Sequence, residues 1–570
     1  MSESNKEQNS TPPASNPDKE AKKAAKAAAK QAKKDAKAKA AADRAAAVAA
    51  AKAAELDAIK DICSVRPVMR SRASDKQGRK FTLIKDLTGK EEGQEALIRA
   101  RVHSVRAAGN LVFVLLRQRE FTLQAVGVKS DSFPKAAVKF VQGLSSESII
   151  DITGTLGKPE AGKVESASVQ DLELSIKTVV VVSAAEPNLP FQLDDASTPQ
   201  DVVDEFTKNL KELDEKIEAE KDEEKKTALL QEREELARTC RPVANPTRFN
   251  NRCIDLRTSA NQAIFRIQAG VVRLFRRFLW SQGFNEIHTP KMIGFKSEGG
   301  ANVFDISYFG GHAYLAQSPQ FYKQMCICSD MDRVFEIGPV FRAEDSNTPR
   351  HMTEFIGMDL EMAFNEHYHE VLDVMDNMFE SIFTGLQEEH KHDIALVSQQ
   401  YPVTPFEMKF PSPLVPFSEG VKMLNDAGVE QSPFEDLSTV NERTLGQLVK
   451  EKFGTDFYRL DKFPTAARPF YTMLDADDEK ITNSYDFMIR GQEILSGAQR
   501  IHDSEMLIER AKVHGVDLDT VEGYTSAFKY GAPPHAGGGI GLNRVTMLFL
   551  GLDRITKASL FPRLPKRLYP

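Results

Sequence analysis

Apolar residues recur along this chain with two different periods. Between residues 81 and 185 they fall in short β-rich runs, Ala96 to Val102, Leu111 to Arg117, Phe121 to Val128, Ser148 to Thr155 and Asp171 to Val182, with small turns such as Ala107-Ala108-Gly109-Asn110 between them. Five such runs predict a small Greek-key barrel of OB type. Further on the spacing lengthens to three and four: Ile264, Ile267, Val271, Leu274 and Phe278 mark one face of a helix over 260–283. Phe284 to Pro290 then reads as a strand stopped by proline. Apolar runs at 334–340 and 355–361 predict two strands of an antiparallel hairpin inside a sheet. Strands first, then helices mixed with hairpins, predict an α+β chain.

The segments outside these patterns are polar. Residues 1–18 are rich in Ser, Asn and Pro and carry no apolar period. From Lys19 to Lys60 there are 12 Lys/Arg against 5 Asp/Glu on an alanine background, a surplus of +7. That composition forms helix readily but has almost no apolar seam to pack with. It is either a solubilising tail or an arm that attracts a nucleic-acid backbone. After the connector Pro187 to Asp195, residues 201–238 hold 14 acids against 8 basic residues. Leu210, Leu213, Ile217, Leu229, Leu230 and Leu236 predict one helical stripe on a charged rod or hairpin there. The organisation is therefore 1–80 disordered tail and basic extension, 81–185 barrel, 186–245 hinge with an acidic helical insertion, and 246–570 a larger α+β domain.

Composition narrows the function classes. With 570 residues and 41% hydrophobic, several cores can be filled. A net charge of -7 does not announce a nucleic-acid binder, so any such affinity rests on local patches. Cys63, Cys240, Cys253, Cys326 and Cys328 lack a CxxC spacing, which argues against zinc and for reduced thiols. No apolar run approaches the length of a membrane span, and the polar, acid-containing N-terminus is unlike a signal peptide or mitochondrial presequence.

The chemistry concentrates in Phe341 to Phe355, FRAEDSNTPRHMTEF, where Arg342, Arg350, His351 and three carboxylates lie between two aromatics. Arg342 and Glu344 share a face if the strand continues through them. They form either an ion pair or a site for a ligand carrying an anion and an amine. A second stretch, His535 to Arg544, reads HAGGGIGLNR. It fits neither the dinucleotide fingerprint nor a P-loop. FRAE followed by RHMTEF closely resembles motif 2 of the class II aminoacyl-tRNA synthetases, and HAGGGIGLNR resembles their motif 3. The whole is most similar to the aspartyl enzymes of the eukaryotic cytoplasm.

That resemblance covers about residues 81–570 apart from the acidic insertion, and it implies a function. The family activates L-aspartate with ATP and Mg2+, releases pyrophosphate, and transfers the aspartyl group to the 3′ end of tRNA(Asp) as a cytoplasmic homodimer. The barrel becomes the anticodon-binding domain, with Arg106, Phe113 and Gln124 on the RNA, although such a Phe taken alone is more often core than platform. Residues 246–570 become the catalytic domain, with Pro290 at the dimer interface. Matching positions place ATP on Arg342, Glu344, Ser346, His351, Met352, Phe355, Glu493 and Arg544, with Arg342 and Arg544 catalytic. Aspartate falls to Glu298 in a mobile lid and to Ser318, Gln320, Lys323, Asp359, Ser496 and Arg500. Lys323 and Arg500 are the two cations that tell aspartate from asparagine. Glu493 and Ser496 match the magnesium ligands, though at that spacing they could be ordinary surface or capping residues. The family usually has an acid where this chain has Asn543, whose oxygen is expected to orient Arg544. An asparaginyl enzyme and a non-catalytic RNA-binding paralogue are the rival readings.

Overall fold

The computed structural model describes residues 17–160, 162–296, 303–346 and 348–570, which form two compact units divided at Leu189/Pro190. The first begins with a 41-residue helix, Pro17–Asp57, built from the alanine- and lysine-rich stretch. It continues into strands β1 (Cys63–Val65), β2 (Glu95–Ala108), β3 (Leu111–Gln118), β4 (Phe121–Val128), β5 (Ile149–Gly157) and β6 (Glu173–Ser183). Their order is β1-β6-β4-β3-β2-β5, and β6 also pairs with β5, so the sheet closes on itself. A bulge at Val102/Ser104 bends the 14-residue β2, which pairs with β5 at its start and with β3 at its end. Alternation places Val112, Val114, Leu116, Leu123 and Ala125 in the barrel core.

Two barrel elements escaped the apolar pattern. The helix Lys135–Gln142 lies between β4 and β5. Strand β1 comes from the stretch assigned to the tail and extension at 1–80: Ile59 and Cys63 are buried in the barrel core, and Cys63 pairs with Val179. Burial pushes the Cys63 thiol up to about 12, which leaves it an inert core group.

The second unit is built on one eight-stranded sheet. Its strands are β7 (Asn285–Glu286), β11 (Arg333–Phe341), β12 (Glu354–Ala363), β13 (Leu414–Pro416), β14 (Phe457–Asp461), β15 (Ser484–Ile489), β16 (Gln492–Gln499) and β17 (His535–Gly541), in the order β13-β14-β15-β16-β17-β12-β11-β7. Pairing is antiparallel except at the two edges, where β7 and β13 run parallel to their neighbours. A separate three-stranded sheet comprises β8 (Met292–Ile293), β9 (Asp305–Tyr308) and β10 (Gly311–Leu315). The helix Ser259–Ser281 presents Ile264, Ile267, Val271 and Leu274 to the main core, as its spacing predicts. The strand expected over 284–290 is shorter, because only Asn285 and Glu286 find a partner on β11.

The acidic insertion is a helical hairpin, Gln200–Ala219 and Glu223–Thr239, whose turn is closed by the Asp222 carboxylate capping Glu224 and Lys225. Arg233 pairs with Asp214 across it. Leu213 is buried, but Leu230 is 46% exposed, so the predicted stripe is interrupted.

Two buried polar side chains fasten the centre of the sheet. Asn543, in the helix Leu542–Phe549 that follows β17, accepts from Ile356 N at 3.1 Å and donates Nδ2 to Ala558 O at 2.7 Å. His535, fully buried at the start of β17, is held down at about 4 by burial. Two outcomes are expected. Asn543→Asp sets a carboxylate against the Ala558 carbonyl and lowers unfolding free energy by about 1–3 kcal/mol, measured by urea denaturation at neutral pH. The unfolded His535 takes its proton near 6.5 and the folded one only near 4, so stability falls as pH drops through that window. This one group contributes about 3 kcal/mol of the loss; pH-dependent urea midpoints check it, with a shallower acid limb in His535→Asn.

Candidate active site

The face of the sheet at β12, β17 and β16 forms the floor of a cleft of ≈ 220 Å³. The hairpin β11/β12, in register from Arg333↔Met362 to Phe341↔Glu354, supplies Phe355 and Asp359 and ends in the loop carrying Arg342, Glu344, Arg350, His351 and Met352. Glu493, Ser496 and Arg500 come from β16 and its end, and Arg544 from the helix after β17.

One end of the cleft is a buried charge cluster. Phe321 of the helix Gln320–Ile327 stacks on Tyr524 at 4.0 Å between ring centroids and anchors the helix. Gln320 and Lys323, three positions apart, reach the sheet together. Lys323 is 0% exposed; its Nζ lies 3.0 Å from Asp359 Oδ1 and 3.5 Å from Glu361 Oε2. Arg500 donates Nε to Glu361 Oε1 at 2.8 Å and Nη2 to Gln320 Oε1 at 3.1 Å and to Gly537 O at 2.9 Å. A Cβ on Gly537 would stand 2.3 Å from the Glu361 carboxylate, so only glycine leaves room for that acid.

Burial alone raises Glu361, but Arg500 and then Lys323 outweigh it and hold the carboxyl below its usual range. Burial likewise disfavours the charged Arg500, and Glu361 outweighs it, so the guanidinium pKa rises. Asp359 goes the other way: burial pushes it up despite Lys323. Sequence reasoning missed Glu361, whose only signal was its sharing a strand face with Asp359. It also expected Lys323 to meet the ligand directly. Lys323 is buried against Asp359 and Glu361, and Asp359 and Arg500 line the cleft beside it.

The other end gathers arginines around an aromatic ring. Arg342 lies 5.7 Å from the Phe355 ring centroid. It stands 4.0 Å from Glu344, too far for a hydrogen bond, and both residues lie past the end of β11 rather than on a continuing strand. Arg350 donates to Glu442 at 2.7 Å. Burial lowers the pKa of His351, which contacts Thr348 Oγ1 at 2.6 Å. Met352 lines the cleft, whereas Ser346 does not, and the Ser346 hydroxyl is buried with no hydrogen-bond partner among the described residues. Arg544 donates to Glu493 O at 2.9 Å, and its Nη1 lies 3.6 Å from Glu493 Oε1. Asn543 does not orient Arg544, because both ends of its amide are committed to backbone. Its Nδ2 bond to Ala558 is one an acid could not donate.

Glu493 and Ser496 both line the cleft. Among the described residues no group of three His, Cys, Asp or Glu could hold a metal by itself. The register, however, sets Asp486 of β15 opposite Ser496. Asp486 is 7% exposed, its Oδ1 has no hydrogen-bond partner among the described residues, and burial pushes it up to about 6. Arg468 bridges Ser496 Oγ at 2.7 Å and Asp486 Oδ2 at 2.9 Å. Two carboxylates and a hydroxyl of hard oxygen character suit Mg2+ completed by phosphate oxygens. Neither Asp486 nor Arg468 was visible from sequence, because each becomes relevant only once the strand register is known.

Of the remaining expected residues, Ser318 lines the cleft and accepts weakly from Gln320 N at 3.4 Å. Glu298 lies outside the described residues. Pro290 is exposed just after the edge strand β7. In the barrel, Arg106 is the register partner of Phe113, and Phe113 is half-buried on the face opposite the core. Gln124 points to that same outer face and donates to Glu173 at 3.1 Å.

Comparison with known proteins agrees with this arrangement. The family model described as tRNA synthetases class II (D, K and N) matches residues 244–565, and that of the OB-fold nucleic acid binding domain matches 96–182. The curated aspartate–tRNA ligase, cytoplasmic, of Homo sapiens is 49% identical over 90% of this chain and 97% of its own length. Aspartate–tRNA ligase 1, cytoplasmic, of Arabidopsis thaliana is 44% identical over 87% of each. The solved aspartyl tRNA synthetase of Entamoeba histolytica superposes with a TM-score of 0.79 at 44% identity, covering 89% of this chain and 96% of that one. The asparaginyl-tRNA synthetase of Pyrococcus horikoshii, at 24% identity and a TM-score of 0.69, shares the fold. An OB barrel, an antiparallel sheet carrying the arginine-rich hairpin, and relatives near half identity along almost the whole chain have one common reading: the chain belongs to the class II tRNA synthetases, in the branch of the aspartate–tRNA ligases.

Proposed function

We infer that the chain is an aspartate–tRNA ligase that couples ATP to the charging of tRNA(Asp) and works in the cytoplasm, as its curated relatives are named. The observation that carries the residue assignments is the juxtaposition of two ends in one cleft. The cluster of Arg500, Lys323, Asp359 and Glu361 makes one end, and Arg342, Phe355 and Arg544 make the other. Aspartate and asparagine have nearly the same shape, so selection between them rests on charge. Arg500 faces the cleft and receives the side-chain carboxylate, while Lys323 supplies the second positive charge from beside it. Asp359, with Ser318 and Gln320 beside it, receives the ammonium group.

The aspartate α-carboxylate is already a nucleophile and needs no general base. It attacks the α-phosphorus of ATP in line, and Arg342 stabilises the charge that develops on the phosphate oxygens. Phe355 stacks on adenine and Glu344 accepts from its amino group. His351 and Arg544 hold the outer phosphates, and pyrophosphate leaves. The 3′-terminal ribose hydroxyl of the tRNA then attacks the carbonyl of the mixed anhydride and AMP departs. Glu493, Ser496 and Asp486 would hold Mg2+, which offsets the repulsion among the phosphate oxygens. Positioning on a rigid sheet supplies most of the rate.

Three features support the partners. Arg106, Phe113 and Gln124 give the barrel a stacking platform with polar neighbours on one outer face. Pro290, Trp280 (56% exposed) and Met292 (58% exposed) lie next to the β7 edge, which supports a homodimer through that side. The basic helix offers phosphate contacts without sequence preference.

Arg500→Met leaves Glu361 with one cation fewer. Aspartate-dependent ATP–pyrophosphate exchange is expected to fall by about 30-fold or more, the equivalent of roughly 2–5 kcal/mol for a broken buried pair. Asparagine gives no exchange with the unmodified protein. A chain that binds tRNA(Asp) yet shows no exchange with aspartate would overturn the enzyme reading. Deletion of residues 1–56, which spares Ile59 in the barrel core, weakens tRNA(Asp) binding and flattens the plot of log affinity against log salt. An unchanged slope retires the arm.

A further inference from the structure

Arg468 has no part in the reaction as derived above, yet it bonds two of the three groups assigned to the divalent ion. It follows the short turn Thr465–Ala467 and precedes Pro469. Its guanidinium lies over the Phe463 ring at 3.9 Å from the centroid, and Phe463 is itself buried. From that seat it donates one nitrogen to Ser496 Oγ at 2.7 Å and another to Asp486 Oδ2 at 2.9 Å. Among the described residues, neither the other oxygen of Asp486 nor Arg468 Nε has a hydrogen-bond partner. A guanidinium does not deprotonate in proteins, so this positive charge is permanent.

Two carboxylates and a hydroxyl gathered for an ion repel one another whenever the ion is away. Arg468 offsets that repulsion and fixes the two groups it bonds. The same charge opposes any divalent cation that arrives alone. ATP brings several negative oxygens, and with them the balance reverses.

Resting on the Mg2+ reading above, we propose that Arg468 is the resident counter-cation of the divalent site: it keeps Asp486 and Ser496 in place in the nucleotide-free enzyme and bars free metal, so that the ion enters with the nucleotide. Arg468 is on this account a positioning residue, and metal affinity without nucleotide is the property that a merely structural ion pair would not set.

The test uses Mn2+ as probe and the full-length protein, with water-proton relaxation separating protein-bound Mn2+ from Mn2+ held by nucleotide in solution. Arg468→Gln without nucleotide is expected to bind Mn2+ at least about 10-fold tighter than the unmodified protein, the least that removing an adjacent like charge should give. Arg468→Lys, which keeps the charge, stays within about threefold. Equal or weaker binding in Arg468→Gln overturns the proposal. If that variant does not fold, the unmodified protein decides: Mn2+ binding as tight without a non-hydrolysable ATP analogue as with it, and abolished by Glu493→Gln, overturns it as well. Protein-bound Mn2+ undiminished by Glu493→Gln in the presence of the analogue refutes the metal site itself, a result distinct from failure of the Arg468 role.

Discussion

Glu361, with no exposed surface between Arg500 and Lys323, is the constraint around which the second unit is arranged. A buried carboxylate persists as a charge only if its partners are near and its lone pairs are filled. Arg500, Lys323 and Gln320 do this from the end of β16 and from the helix stacked on Tyr524. Glycine at 537 lets β17 lie close enough for the acid to fit. Register is fixed by the same requirement. Met358, Leu360 and Met362 point into the main core while Asp359 and Glu361 face the site. A slip of one position along β12 would bury two acids in hydrocarbon and expose the core residues. The hydrophobic pattern and the charge cluster thus select the same pairing.

How much of this can be read from the chain differs between the two units for a physical reason. The barrel strands show in the apolar runs because one face of each is core, and alternation is a local property. β1 does not show, since three residues in a polar stretch have no period, and they become a strand only because β6 offers a free edge. The hairpin of β11 and β12 and the helix Ser259–Ser281 are legible for the same reason as the barrel. Lys323 and Arg500 were found by motif resemblance alone, because nothing in their local sequences says that residues 177 positions apart will meet at one carboxylate. Glu361 and Asp486 required the register. Asn543 shows the limit of motif reasoning: a substitution read as a weakened partner for Arg544 proves to be a backbone staple between β12 and Ala558.

The proposed nucleotide end follows a rule similar to that of the amino-acid end. Arg350 is held by Glu442, Arg544 by Glu493, and Arg468 by Asp486. Each positive group of the resting cleft that these pairs include is neutralised by an acid close at hand. Burial pushes Glu442 up to about 7 and Asp486 to about 6, so these acids are poorly solvated partners rather than strong ones. On the proposed reading, a triphosphate would meet arginines already aimed by their carboxylate partners and would take the place of those carboxylates rather than of water. Preorganisation of that kind concentrates the gain in affinity on ligands with enough negative charge to replace every partner at once. A small anion could satisfy one arginine and leave its former acid buried and unpaired. A polyphosphate spans several, and where it draws in a divalent ion, the freed carboxylates acquire a new counter-charge.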